Sequence, residues 1–168
     1  MITQQSRRKV VAVFYLLSAS LFAAPASAEV VRFEIDRREP FAAGRAFGDV
    51  GAYERIVGRV VYEIDPSLRQ NGVIVDLQHC ATNERGRVEF TGDLDILVPA
   101  DLSRGNGAVF YDVNNRGNKL ALRMFNDSGG GNDPKTLDDA GHGFLMRQGF
   151  IVVWSGWDGE LLAGNGRL

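Results

Sequence analysis

Cysteine occurs once, at Cys80. An internal disulfide is therefore excluded, and a lone thiol reads as a small, buried, inert hydrophobe. Histidine occurs twice, at His79 and His142, which leaves little choice for a catalytic base or a metal ligand. Neither sign of charge dominates: 19 basic residues stand against 21 acidic ones, a net charge of −2. The basic residues are scattered, so the footprint of a nucleic-acid binder is missing. No internal repeat is visible. Glycine is the one excess, at 20 residues, and it implies many turns. The hydrophobic and charged fractions, 45% and 24%, are those of an ordinary globular domain.

The first residues do not belong to the folded part. Arg7, Arg8 and Lys9 form a positive start, Val10 to Ala24 an apolar run, and Ala26-Ser27-Ala28 a small-x-small cleavage site before Glu29. This pattern predicts a signal peptide over 1–28, too short and wrongly flanked for a membrane span. The expected product, 29–168, is exported by a bacterium to the periplasm or the medium. Ser6-Arg7-Arg8 fits a twin-arginine signal and equally an ordinary basic start. Losing three basic residues leaves 16 against 21 acidic ones, a charge of −5. Nothing then draws the chain to anionic membranes.

Val31, Phe33 and Ile35 alternate with Arg32, Glu34 and Asp36, which predicts a half-buried strand. A longer strand from Tyr53 sets Ile56, Gly58, Val60, Tyr62 and Ile64 on one face. Arg55, Arg59 and Glu63 lie on the other, and Glu34, Glu54 and Glu63 read as solvated. Ile74 to Leu77 reads as a short strand, and Val88 to Val98 alternate up to Pro99. Residues 30–99 thus predict an antiparallel meander with one wet face. From Gly107 the pattern becomes continuous through Ala108, Val109, Phe110 and Tyr111, as in a strand buried on both faces of a parallel sheet. Lys119 to Phe125 predicts a short helix. Thr136-Leu-Asp-Asp139 resembles a capping box and opens a helix to about Gln148, with Gly149 as its stop. Phe150 to Trp154 is a second continuous apolar strand. Residues 107–159 then read as one βαβ crossover.

Polar, glycine-bearing turns follow both apolar strands: Asn114-Asn115-Arg116-Gly117 and Ser155-Gly156-Trp157-Asp158-Gly159. The carboxyl ends of parallel strands are where α/β proteins place their chemistry. No nucleophile elbow is present, however. Ser155 follows a strand, but Val153 stands where the first glycine of Gly-x-Ser-x-Gly belongs. Ser128 lies in a loop. His79 and His142 precede any elbow and read as surface or structural residues. Asp93 and Asp95 share a strand without a third ligand in step, so no metal is expected. Gly129-Gly130-Gly131 lacks the Lys-Ser/Thr of a phosphate loop, and no cofactor is expected either.

Several long runs resemble the α/β-hydrolase superfamily and, more narrowly, the bacterial alpha/beta hydrolase domain family. They are Tyr111 to Lys119, Gly143 to Arg147 and Val153 to Gly159, with Phe47-Gly48, Tyr53-Glu54 and Val88-Glu89-Phe90 in support. The resemblance covers nearly all of 29–168. It implies an α/β fold: the N-terminal part of an α/β-hydrolase, in which an antiparallel meander leads into a parallel sheet with crossover helices. It also implies a serine hydrolase acting on a small ester-like substrate, with nucleophile, acid and histidine beyond these residues. In such enzymes the loop after the Gly107 strand supplies one oxyanion N–H, which makes Asn115, Arg116 and Gly117 candidates. The alternative is a tight turn whose Arg116 pairs with Asp112 or Asp158. Trp154, Trp157 and Asp158 are candidates for lining the cleft, against core packing for Trp154 and a turn cap for Asp158. The rival to the hydrolase is a non-enzymatic periplasmic binding or interaction domain. No feature of the sequence specifies an oligomeric state.

Overall fold

Three twelve-residue strands do most of the building. In the computed structural model, which describes residues 28–162, 164 and 166–168, they are β1 (Glu29–Pro40), β2 (Tyr53–Ile64) and β3 (Val88–Pro99). They pair antiparallel in chain order, as the alternation predicts. β1 crosses so close to Gly58 that a Cβ there would strike the Glu34 carbonyl oxygen. The expected signal peptide over 1–28 lies outside the described residues except for Ala28.

The remaining strands are β4 (Val109–Tyr111) and β5 (Ile151–Ser155). They run parallel to each other, and β5 lies antiparallel to β3. The sheet order is β1-β2-β3-β5-β4. Three short helices connect β4 to β5: α1 (Ala121–Asn126), α2 (Leu137–Ala140) and α3 (Phe144–Arg147). Among the described residues the remaining helical pieces are 3-10 turns of three to five residues. Against the expected α/β architecture of a parallel sheet with crossover helices, the fold is a mixed, mainly β five-stranded sheet with few short helices. One parallel pair among four pairings, and helices of a single turn or little more, do not make a helix-covered parallel sheet.

The expected helix from Thr136 to Gln148 is broken. Its capping box is present, with Thr136 Oγ1 and the Asp139 carboxylate bonded reciprocally to the backbone. Gly141 and Gly143 then take φ of +54° and +71° and end the first turn. Asn126 holds the break in place. Its side chain donates to Ala140 O at 2.9 Å and accepts from Leu145 N at 3.0 Å, and its carbonyl accepts from His142 N at 2.9 Å.

The two strands read as doubly buried fare differently. β4 is a three-residue edge strand with Val109 59% and Tyr111 50% exposed. β5 is flanked on both sides, and Val152 and Trp154 are fully buried, so it presents no bare edge. Ile74 to Leu77 forms no strand. Asp76 is left-handed there (φ +60°) between two 3-10 turns. Cys80 is exposed rather than buried.

Opposed residues on paired strands share a face. Tyr53, Arg55, Val61 and Glu63 of β2 therefore share one with Asp95 and Leu97 of β3 and with Trp154 and Val152 of β5. The helices pack on this face. Tyr53, Leu97, Val152 and Trp154 form the core with Ala121, Leu122, Ala140, Leu145 and Met146. The face expected to be wet is thus the better covered one. Arg55 and Glu63 are 2% and 5% exposed. Glu63 is not solvated; it accepts from Asn83 and Arg85. On the opposite face Phe33 and Ile35 are 60% and 52% exposed, where alternation predicts half-burial.

Candidate functional site

The loops after β4 and β5 leave the sheet side by side, because those strands are parallel neighbours. Asn114, fully buried, joins them: its Nδ2 donates to Ser155 O at 3.2 Å, and its carbonyl accepts from Trp157 Nε1 at 2.8 Å. Arg116 Nε lies 3.6 Å from Asp158 Oδ2. Asp112 anchors the base of the loop. Its Oδ2 accepts from Leu120 N, Ala121 N and Trp154 Nε1 at 2.6–2.8 Å, which fixes the start of α1 relative to β5.

Between these anchors the chain turns through Arg116 (φ +49°) and Gly117 (φ +80°). Two consecutive left-handed residues closed by bonds between Asn115 and Asn118 make a tight primed turn. The Asn115 N–H is spent on Asn118 O at 3.0 Å. The Arg116 and Gly117 N–H groups have no acceptor among the described residues. Of the three oxyanion-loop candidates, these two retain a free donor. A Cβ at Gly117 would sit 2.8 Å from Arg167 Cβ, so the chain's last described residues pack directly on the turn.

Beside the two loops lies an open cleft of about 590 Å³. Tyr62 and Phe90 stack in it, with ring centroids 5.1 Å apart and planes 16° off parallel. Trp157, Asp158, Leu161 and Arg167 also line it. Of the three cleft-lining candidates, Trp157 and Asp158 border this cleft. Asp158 Oδ1 also accepts from Glu160 N at 3.1 Å, so it caps a turn as well. Trp154 is not in the cleft; its ring is fully buried in the core.

A second polar cluster lies under the helices. Asp95, fully buried, accepts from Arg55 Nη2 at 2.6 Å and from Lys119 Nζ. Arg55 Nη1 also reaches Asp133 Oδ1 at 2.6 Å, and Lys119 Nζ reaches Asn132 O at 2.6 Å. Burial pulls the Lys119 ammonium below its ordinary range despite Asp95. Burial would raise the Asp133 carboxyl, but hydrogen bonds from Lys135 and Arg55 outweigh it and hold it at about 2. Every buried charge here has a partner, as burial requires. The cluster therefore reads as structural, tying the 127–136 loop to the sheet.

No family model, curated protein or solved structure matches the chain.

The chemistry-bearing side chains picked from sequence are not brought together. Ser155 is buried behind Asn114, and His79 and His142 are both exposed. Neither histidine has a hydrogen bond to a serine among the described residues. No group of three metal-ligating side chains occurs among them either, and no helix there is long and apolar enough to cross a membrane. Sequence reasoning offered Asp112 only as a partner of Arg116, which pairs with Asp158 instead, and it missed the anchoring roles of Asn114 and Asp112 and missed Arg167 entirely. The first two had a faint signal, as polar residues closing an apolar run. Arg167 had none.

Proposed function

We propose that residues 29–168 supply the substrate cleft and the oxyanion-side loop of an exported serine hydrolase. The substrates are esters or related acyl compounds, and the nucleophile, acid and histidine come from outside these residues. One observation carries the reading. The turn at Arg116 and Gly117, with two free N–H groups, stands at the carboxyl end of the parallel pair beside a cleft of small-molecule size. Free backbone donors at that end of a strand suit a developing oxyanion. The runs Tyr111 to Lys119 and Val153 to Gly159, which resemble the alpha/beta hydrolase domain family, are the two loops that bound this place. Acyl transfer needs a nucleophile and base held with those donors. The chain is therefore expected to give no turnover of p-nitrophenyl esters above buffer. Turnover lost on Ser155→Ala overturns the placement of the nucleophile outside these residues.

A second reading, a non-enzymatic periplasmic binding domain, is favoured by the mainly β architecture. The gene separates the two. An in-frame Gly-x-Ser-x-Gly beyond codon 168, between a strand and a helix, is expected for the hydrolase. A stop codon there in an intact gene overturns the hydrolase and leaves the binding domain.

A further inference from the structure

Two of the charged side chains that line the cleft beside the loops make no ion pair among the described residues. Three charged side chains line it: Asp93, Asp158 and Arg167. Asp158 is occupied by Arg116 and by the Glu160 N–H. Arg167 has no ion pair or side-chain hydrogen bond among the described residues, and its Nε is buried without an acceptor. A buried guanidinium N–H left without an acceptor is unusual, because its desolvation is uncompensated. Asp93 is exposed and likewise makes no side-chain bond among the described residues. Gly156 separates the two segments: a Cβ there would lie 3.2 Å from Asp93 N and 3.3 Å from the Leu168 carbonyl carbon. Asp93 and Arg167 therefore border the same small space.

The rest of the lining is apolar and held in place. The Tyr62–Phe90 stack forms one wall. Trp157 is fixed by its bond to the Asn114 carbonyl, yet is 57% exposed. A concave site of about 590 Å³, with aromatic walls and one or two unsatisfied polar groups, has the size and make-up of a small-molecule site.

We propose that this cleft binds a small apolar monocarboxylate, its carboxylate on Arg167 and its apolar body against Trp157, Phe90 and Tyr62. With Nε buried, the two Nη groups of Arg167 are the paired donors left to match a carboxylate end-on, with shorter and stronger bonds than a neutral partner makes. The unpaired Asp93 repels a second negative charge and so disfavours dianions. The inference concerns binding and does not rest on the hydrolase reading.

Isothermal titration of the chain with 3-phenylpropionate, 3-phenylpropanamide and phenylsuccinate tests it. The expected result is saturable binding of phenylpropionate, at least roughly tenfold tighter than the neutral amide and tighter than the dianion. Arg167→Gln should bring phenylpropionate down to the level of the amide and leave the amide unchanged, and Arg167→Lys should restore part of the difference. Asp93→Asn should strengthen phenylsuccinate more than phenylpropionate. Equal binding of acid and amide to the unaltered chain overturns the proposal, as does binding of none of the three. Equal weakening of both by Arg167→Gln overturns it too, since that signals a lost cleft rather than a lost carboxylate partner. The ranking on the unaltered chain decides the matter even where the Arg167 variants fail to fold.

Discussion

The two faces of the sheet invert the usual expectation. On β2, the face with Ile56, Val60, Tyr62 and Ile64 is the apolar one, and the face with Arg55, Arg59 and Glu63 is the charged one. Yet the short helices sit on the charged face, where Arg55, Asp95 and Lys119 are almost fully buried among Tyr53, Leu97 and Trp154. The apolar face is covered at one end, where Leu77 packs on Ile64 and Val88. Towards both edges it is exposed, at Phe33 and Ile35 on β1 and at Val109 and Tyr111 on β4. Burial here follows from where the β4–β5 connection folds back, not from hydrophobicity alone. Placing charges under that connection requires every one to be paired.

The largest expected effect breaks this pairing. Asp95→Ala leaves Arg55 and Lys119 buried without their shared carboxylate, a change that costs about 3–5 kcal/mol. That is a large part of a domain's net stability of about 5–15 kcal/mol. The comparison variant is Glu89→Ala on the same strand, whose carboxylate meets Arg32 at 3.2 Å in the open and should cost under about 1 kcal/mol. Urea midpoints for the two variants measure the contrast. Equal midpoints would mean that the charged face is solvated after all.

How much of this was legible depends on the range of the interaction that decides each element. The antiparallel meander was legible, because a period of two is a local property and Pro99 ends β3 where expected. The capping box at Thr136 and the short helix before Asn126 were legible for the same reason. The identity of the covered face was not. It depends on a return of the chain from 112 to 150, and Arg55 in isolation reads as an outward charge. The break at Gly141 was half legible. Two glycines were visible, but Asn126, which holds the break, lies fifteen residues upstream. The candidate site divides in the same way. Polar turns after two apolar strands pointed to the two loops that leave the sheet side by side beside the cleft. Which donors remain free, and which side chains enter the cleft, follows from Asn114 and from the last described residues, whose packing no local pattern encodes.

Acid gives a smaller effect on the same face. Asp133 is held at about 2, against an ordinary value of 3.8. A depressed carboxyl contributes stability above its unfolded value and loses it as pH falls through the folded one. Stability should therefore decline between about pH 4 and pH 2. Asp133→Asn should remove part of that slope while lowering stability near neutral pH by under about 1 kcal/mol, because the carboxylate is half exposed and screened. Denaturant titrations at pH 4, 3 and 2 measure the slope. A variant as acid-sensitive as the parent chain would place the acid sensitivity elsewhere, in groups other than the Arg55 partner.

The smallest effect is expected on the apolar face. Phe33 stands opposite Val60 on β2 and is 60% exposed. A large side chain left mostly in water contributes little burial energy, since the gain scales with apolar area removed from solvent. Threonine also suits a strand, so Phe33→Thr keeps the backbone preference. The expected change in stability, read from the urea midpoint, is within about 0.5 kcal/mol, against several for Asp95→Ala on the charged face. The substitution also removes an exposed aromatic from an edge strand, so light scattering at high concentration should not rise. A loss of about 2 kcal/mol or more that grows with protein concentration would mean that a second copy of the chain covers Phe33. The two faces would then both be buried, and the contrast between them would belong to the isolated chain alone.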